Sequence, residues 1–143
     1  MKEKVLITIN GTQGDAPEDS IQTMQQGKYR FVGGKHVCTY NEIAETGDGV
    51  SSETISNLLK IGDDFVSLTK RGSASTEMFF KKGAQHTGIY ETPFGSLQMS
   101  LFTNLLSISC EKDTIDIKIE YGLEMNYSHV SDNKIHIQIR SIE

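Results

Sequence analysis

The sequence predicts an all-β fold, a single antiparallel barrel of roughly eight to ten strands by the turn count. Three observations carry this reading. Ile115, Ile117, Ile119, Tyr121, Leu123 and Met125 occupy every second position, with Asp116, Lys118, Glu120 and Glu124 filling most of the gaps. A period of two over that length gives a strand one wet face and one buried face. Ile135, Ile137 and Ile139 repeat the pattern against His136, Gln138 and Arg140. Turn signals also recur about every ten residues between strand-like runs, the spacing of sandwiches and barrels.

Taken in order, Val5, Ile7 and Ile9 begin the first strand, and Gly11-Thr12-Gln13-Gly14-Asp15-Ala16-Pro17 reads as a loop. It is not a phosphate loop, because no Gly-Lys-Ser/Thr follows. Residues 20–32 form the second strand. Gly33-Gly34 then predicts a two-residue hairpin, since a type I′ turn needs positive φ at both central positions. That turn pairs Val32 with Lys35, Phe31 with His36 and Tyr29 with Cys38. It puts Tyr29, Phe31, Cys38, Tyr40 and Glu42 on one face.

A turn at Gly47-Asp48-Gly49 follows. Residues 51–61 fit both a helical and an alternating period, and their β surroundings favour a strand. Turns at Asp63-Asp64, Arg71-Gly72-Ser73, Lys82-Gly83-Ala84 and Pro93-Phe94-Gly95 delimit strands over 65–70, 76–81, 85–92 and 97–109. Leu97, Met99 and Leu101 keep one parity and Leu106, Ile108 and Cys110 the other. One extra residue explains the switch, so a β-bulge is expected near 103–106. In the last hairpin, 113–125 with 134–141, a four-residue turn at 131–134 would oppose His129 to His136 and mix apolar with polar faces. Pairing Met125 with Ile135 and Tyr121 with Ile139 keeps the apolar sets together and implies a loop over 126–134.

A chain of 143 residues suggests one domain, 1–143, with room for a real core. A net charge of −5 argues against a nucleic-acid partner and against attraction to an anionic membrane. The apolar run after the N-terminal lysines is too short for a signal peptide, and no stretch approaches a membrane span, so a cytoplasmic location is expected. Cys38 and Cys110 are the only cysteines. In a reducing compartment they read as free, half-buried residues, and they lack the Cys-x-x-Cys spacing of a redox pair.

The stretch from Arg71-Gly72 through Met78-Phe79-Phe80, Gly83 and Tyr90-Glu91-Thr92-Pro93-Phe94-Gly95-Ser96-Leu97 to Met99 is similar to the YwiB-like family of bacterial proteins of unknown function. Gly27-x-Tyr29, Tyr40-x-Glu42, Tyr121-x-Leu123 and the terminal Ile-x-Ile fit the same pattern. The resemblance covers nearly the whole chain, with 92–97 its strongest piece. It implies a calycin-like, lipocalin-like antiparallel barrel and no assigned activity.

Catalytic motifs are missing. The four histidines are dispersed, with no His-x-His and no His-Glu-x-x-His, so no metal site is expected. Gly-x-Ser-x-Gly is absent, and no spacing singles out a carboxylate pair. No catalytic residue, cofactor or metal is therefore assigned. Glu42 ends an aromatic stripe, although the plainer reading lets it emerge into water. Arg71 could pair with Glu42 across the barrel mouth. The preferred reading is a surface turn arginine, because Val66 and Leu68 point the other way. The aromatics are first of all core. The function expected is non-enzymatic binding of a small apolar or amphipathic ligand, with Tyr29, Tyr40, Glu42, Arg71, Tyr90 and Tyr121 near the pocket. The alternative is a protein-interaction or regulatory module with a packed interior, as a monomer or homodimer.

Overall fold

Alternation leaves each segment one apolar face, and the computed structural model shows ten antiparallel strands curling to bury those faces together. It describes residues 1–14, 20–45, 49–72, 75–92 and 94–142, with only the backbone of Glu91 and Thr92. The strands are β1 (Lys4–Gln13), β2 (Ile21–Val32), β3 (Lys35–Glu45), β4 (Ser52–Ile61), β5 (Phe65–Arg71), β6 (Thr76–Lys81), β7 (Gln85–Thr92), β8 (Gly95–Cys110), β9 (Thr114–Met125) and β10 (Ser128–Ser141). Their order is β6-β5-β4-β3-β2-β1-β10-β9-β8-β7, one nearly closed barrel-shaped sheet. No helix occurs among the described residues, so none is long and apolar enough to cross a membrane. The turn residues read at Asp15-Ala16-Pro17, Gly47-Asp48, Ser73 and Pro93 lie outside the described residues.

The first hairpin has the register that Gly33-Gly34 predicts. Val32 faces Lys35, Phe31 faces His36 and Tyr29 faces Cys38. Both glycines take positive φ, 61° and 77°. The expected bulge is present as well: β8 pairs Thr103 with Tyr121 but Leu105 with Glu120. The slip lets Leu101 and Thr103 on one side of it, and Ile108 on the other, all use the inner face. The isoleucine ladder fills the interior. Ile117 pairs with Ile137 and with Ile108, and Ile115 pairs with Ile139. Ile115, Ile117 and Ile139 are fully buried and Ile137 nearly so, against Val5, Ile7, Leu59, Val66, Phe80 and Leu101.

Five readings are corrected. Gly11, Thr12 and Gln13 belong to β1, where their backbone pairs with Ile135, Lys134 and Asn133 of β10. Ile135 faces Ile119 rather than Met125, and Tyr121 faces Asn133 rather than Ile139. Ser128 faces Met125, so the connection is a two-residue turn at Asn126-Tyr127 and not a loop over 126–134. Cys38 is buried and Cys110 exposed, both free thiols, instead of both half-buried. Phe31, Phe94 and Phe102 are exposed rather than core.

The Asn126-Tyr127 turn holds two non-glycine residues at φ 49° and 71°. Asparagine tolerates that conformation; tyrosine does so only with strain. Tyr127 is 82 % exposed, so its ring contributes little burial. Tyr127→Gly is therefore expected to raise stability by about 0.5–1 kcal/mol. A thermal melt showing an unchanged or lower midpoint would count against strain at this position.

Closure of the barrel differs from its ladders. No hydrogen-bonded register joins β6 to β7, although they are consecutive in sequence. At one end the β6–β7 turn is tied to β8, extending the β7–β8 ladder: Gly83 N–H donates to Thr103 O at 2.9 Å, and Thr103 N–H donates to Ala84 O at 3.1 Å. Elsewhere rings cross the gap. Phe80 of β6 packs on Tyr121 of β9 with centroids 5.0 Å apart, and Phe79 tilts over His86 of β7 at 5.7 Å.

Candidate functional site

Inward parity on β3, β4 and β5 brings Tyr40, Asn57 and Lys70 to one level, with Tyr40 opposite Asn57 and Asn57 opposite Lys70. Glu42 stands one inward step further along β3. These residues lie at one end of the barrel, where the isoleucine core gives way to polar side chains. Lys70 Nζ donates to Glu42 Oε1 at 2.6 Å, and Asn57 Nδ2 donates to the same oxygen at 3.1 Å. The ion pair is half-buried, with side-chain exposures of 36 % for Lys70 and 24 % for Glu42. Burial pushes the Glu42 carboxyl upward, but the Lys70 ammonium and the Asn57 amide outweigh it and hold it below the usual carboxylate range. Glu42 is thus ionised at neutral pH.

Beside this cluster lies a cavity of about 340 Å³. Ile9, Leu68, Met78 and Ile135 give it apolar walls, and Tyr40, Glu42, Lys70 and Tyr121 give it polar points. Tyr40 is 6 % exposed and Tyr121 9 %. Neither hydroxyl has a hydrogen-bond partner among the described residues. Burial raises both phenols, Tyr121 to about 12, so both remain protonated donors. Asn57 is 3 % exposed, and its Oδ1 is buried without a partner. Apolar walls with a few converging polar groups, two phenols and an ion pair, are the composition of a ligand pocket. A wider trough next to it, lined by Asn104, Glu120, Ser131 and Asp132 together with Ile21 and Val130, is the more polar of the two.

The structure therefore gathers Tyr40, Glu42 and Tyr121 of the six residues named from sequence. Arg71 is exposed at the end of β5 and does not line the cavity. Its neighbour Lys70 shares the inward parity of Val66 and Leu68 and makes the ion pair instead. Glu42, expected to emerge into water, is held by that pair. Tyr90 is half-buried on β7 opposite Leu97 and does not line the cavity. Tyr29 lies toward the other end, where its hydroxyl meets His36 Nδ1 at 2.6 Å. Lys70 and Asn57 were missed from sequence; the parity of β5 was the available signal for Lys70. Among the described residues no group of His, Cys, Asp and Glu is placed to hold a metal ion.

Comparison with solved structures gives the crystal structure of the ywiB protein from Bacillus subtilis, at a TM-score of 0.80 and 18 % identity, covering 99 % of this chain and 93 % of that one. At that identity the likeness speaks for the fold. A comparison with curated proteins found no match. Residues 7–137 match the domain of unknown function DUF1934. A fold similar to that of ywiB and a family match across nearly the whole length place this chain in the DUF1934 family, the YwiB-like proteins of unknown function.

Proposed function

We propose that the barrel mouth binds a small, partly apolar molecule without transforming it. The observation that carries this reading is a 340 Å³ cavity with apolar walls, into which two largely buried tyrosines, Tyr40 and Tyr121, face beside the Glu42–Lys70 ion pair. Apolar walls supply affinity, and a few polar groups fix orientation, which is the usual division of labour in ligand pockets. The ligand's apolar part would lie against Leu68, Met78 and Ile135. Its polar part would take donors from the tyrosines and from Lys70, which has two N–H groups beyond the one given to Glu42. The interior beneath the mouth is packed, so the site is a mouth pocket and not a deep calyx.

Native mass spectrometry of the purified protein is expected to show a retained small molecule, or a metabolite panel to raise the melting temperature. Ligand at a hundred times Kd would stabilise by about 2.7 kcal/mol. Tyr40→Phe and Tyr121→Phe should each weaken binding by about five- to tenfold, the worth of one hydrogen bond. No retained molecule together with no thermal shift across the panel removes the reading. A protein-interaction role ranks second. Met24, Val32 and Ile43 are exposed on β2 and β3, but scattered single apolar side chains need no partner.

A further inference from the structure

Three side chains from three strands meet at the end of the barrel away from the mouth. His36 of β3 lies between Tyr29 of β2 and Cys110, the last residue of β8. Its Nδ1 is 2.6 Å from the Tyr29 hydroxyl, and its Nε2 is 3.7 Å from Cys110 Sγ. The Phe31 ring stacks at a tilt on the imidazole, with centroids 5.0 Å apart. Cys110 is exposed, whereas Cys38 is fully buried. An open depression bordered by Tyr29, Phe31 and His36 adjoins the cluster, with Lys28 and Arg30 against the single acid Glu3 on its rim.

A nucleophile within reach of a base, with the base oriented by a third group, is the arrangement that activates a thiol. We infer that Cys110 is an activated thiol, and that His36, positioned by Tyr29, directs it to thiol–disulfide exchange with a small anionic disulfide. The exchange balances without any other reagent. With Nδ1–H donating to the Tyr29 oxygen, Nε2 accepts the Cys110 proton. The thiolate attacks one sulfur of the disulfide, a new S–S bond forms and the old one breaks. The departing thiolate carries away the electron pair and takes the proton back from the imidazolium. The products are a mixed disulfide on Cys110 and one small thiol. Lys28 and Arg30 on the rim of the depression beside His36 favour a disulfide bearing carboxylates, set against Glu111 and Asp113, which follow the thiol in sequence with Lys112 between them.

The groups facing His36 set its availability as a base. Burial and the amino group of Met1 lower its basicity, and Asp63 in the β4–β5 turn raises it by less; the net effect keeps the ring neutral at pH 7. Tyr29, whose phenol is raised by burial and by Cys38 and Cys110, stays protonated beside it. Cys38 is an internal control, because burial pushes its thiol up to about 12 and closes it to reagent.

The test uses 5,5′-dithiobis(2-nitrobenzoate), an anionic aromatic disulfide whose released thiol is coloured. The native protein should release one equivalent at least about tenfold faster than a cysteine in an unstructured peptide at pH 7. The second equivalent should appear only on unfolding. Cys110→Ser should remove the fast phase. His36→Asn, checked for fold by circular dichroism, should slow it about tenfold and restore the pH profile of a free thiol, which loses a factor of ten per unit below about pH 8.5. Tyr29→Phe should slow it less. A native rate equal to that of the peptide, or an unchanged rate and profile in His36→Asn, overturns the inference. If His36→Asn does not fold, His36→Gln takes its place under the same criteria.

Discussion

Gly27→Ala is expected to cost at least about 2 kcal/mol and to lower the urea midpoint accordingly. Gly27 sits in β2 opposite Val5 of β1, where β1, β2 and β3 crowd together. A Cβ built there would lie 2.6 Å from the backbone oxygen of Thr39, 2.9 Å from Ile7 Cδ1 and 3.2 Å from Tyr40 Cβ. Ile7 could turn aside. The Thr39 carbonyl cannot, because it belongs to the ladder in which Thr39 pairs with Lys28 and Leu58. The added methyl must therefore push β2 and β3 apart or expel Tyr40 from its place. Gly88→Ala is the control, since a Cβ there meets only His86 Nε2 at an ordinary 3.7 Å. Equal midpoints for Gly27→Ala and wild type would show that the crowding is not rigid.

Phe80→Ala should be costlier still, about 3–5 kcal/mol, against a total stability of roughly 5–15 kcal/mol for a domain of this kind. Phe80 is 1 % exposed, lies beside Val66 of β5 and packs at a tilt on Tyr121. Its loss does more than open a void. With no ladder between β6 and β7, this ring ties β6 to β9 past the gap, and its partner Tyr121 is also a wall of the mouth cavity. Amide exchange in Phe80→Ala is expected to accelerate in β6 and β7 more than in β1 and β10. A uniform acceleration across all ten strands would show that the bridge has no local role.

What could be read from the sequence follows parity. Turns that fix φ, such as Gly33-Gly34, fix the register with it, and the parity switch in β8 located its bulge from side chains alone. The last hairpin escaped because Ile115, Ile117 and Ile119 against Ile135, Ile137 and Ile139 keep the same faces together after any even slip. The deciding turn carries Tyr127 where glycine would have announced it. The mouth was half legible. Tyr40 and Glu42 follow from the first hairpin, but Lys70 was overlooked although Val66 and Leu68 already assigned it inward, because lysine is habitually read as solvated. That Tyr121 of β9 meets the Lys70 strand across the barrel depends on long-range closure, which no local pattern encodes.

The barrel is cut in space and in sequence at different places. The chain is continuous at the gap between β6 and β7, while its two termini lie side by side: β1 pairs along β10, Lys2 N–H donates to Ser141 Oγ at 3.1 Å, and Ile142 N–H donates to Lys4 O at 3.2 Å. The most distant parts of the polypeptide thus form one of its longest ladders, a costly ring closure that folding must achieve before that ladder repays it. A circular permutant with the old ends tied and new ends opened at Lys82-Gly83 would visit the strands in their spatial order. Every ladder would then join sequence neighbours, and the same barrel would become a plain up-and-down meander.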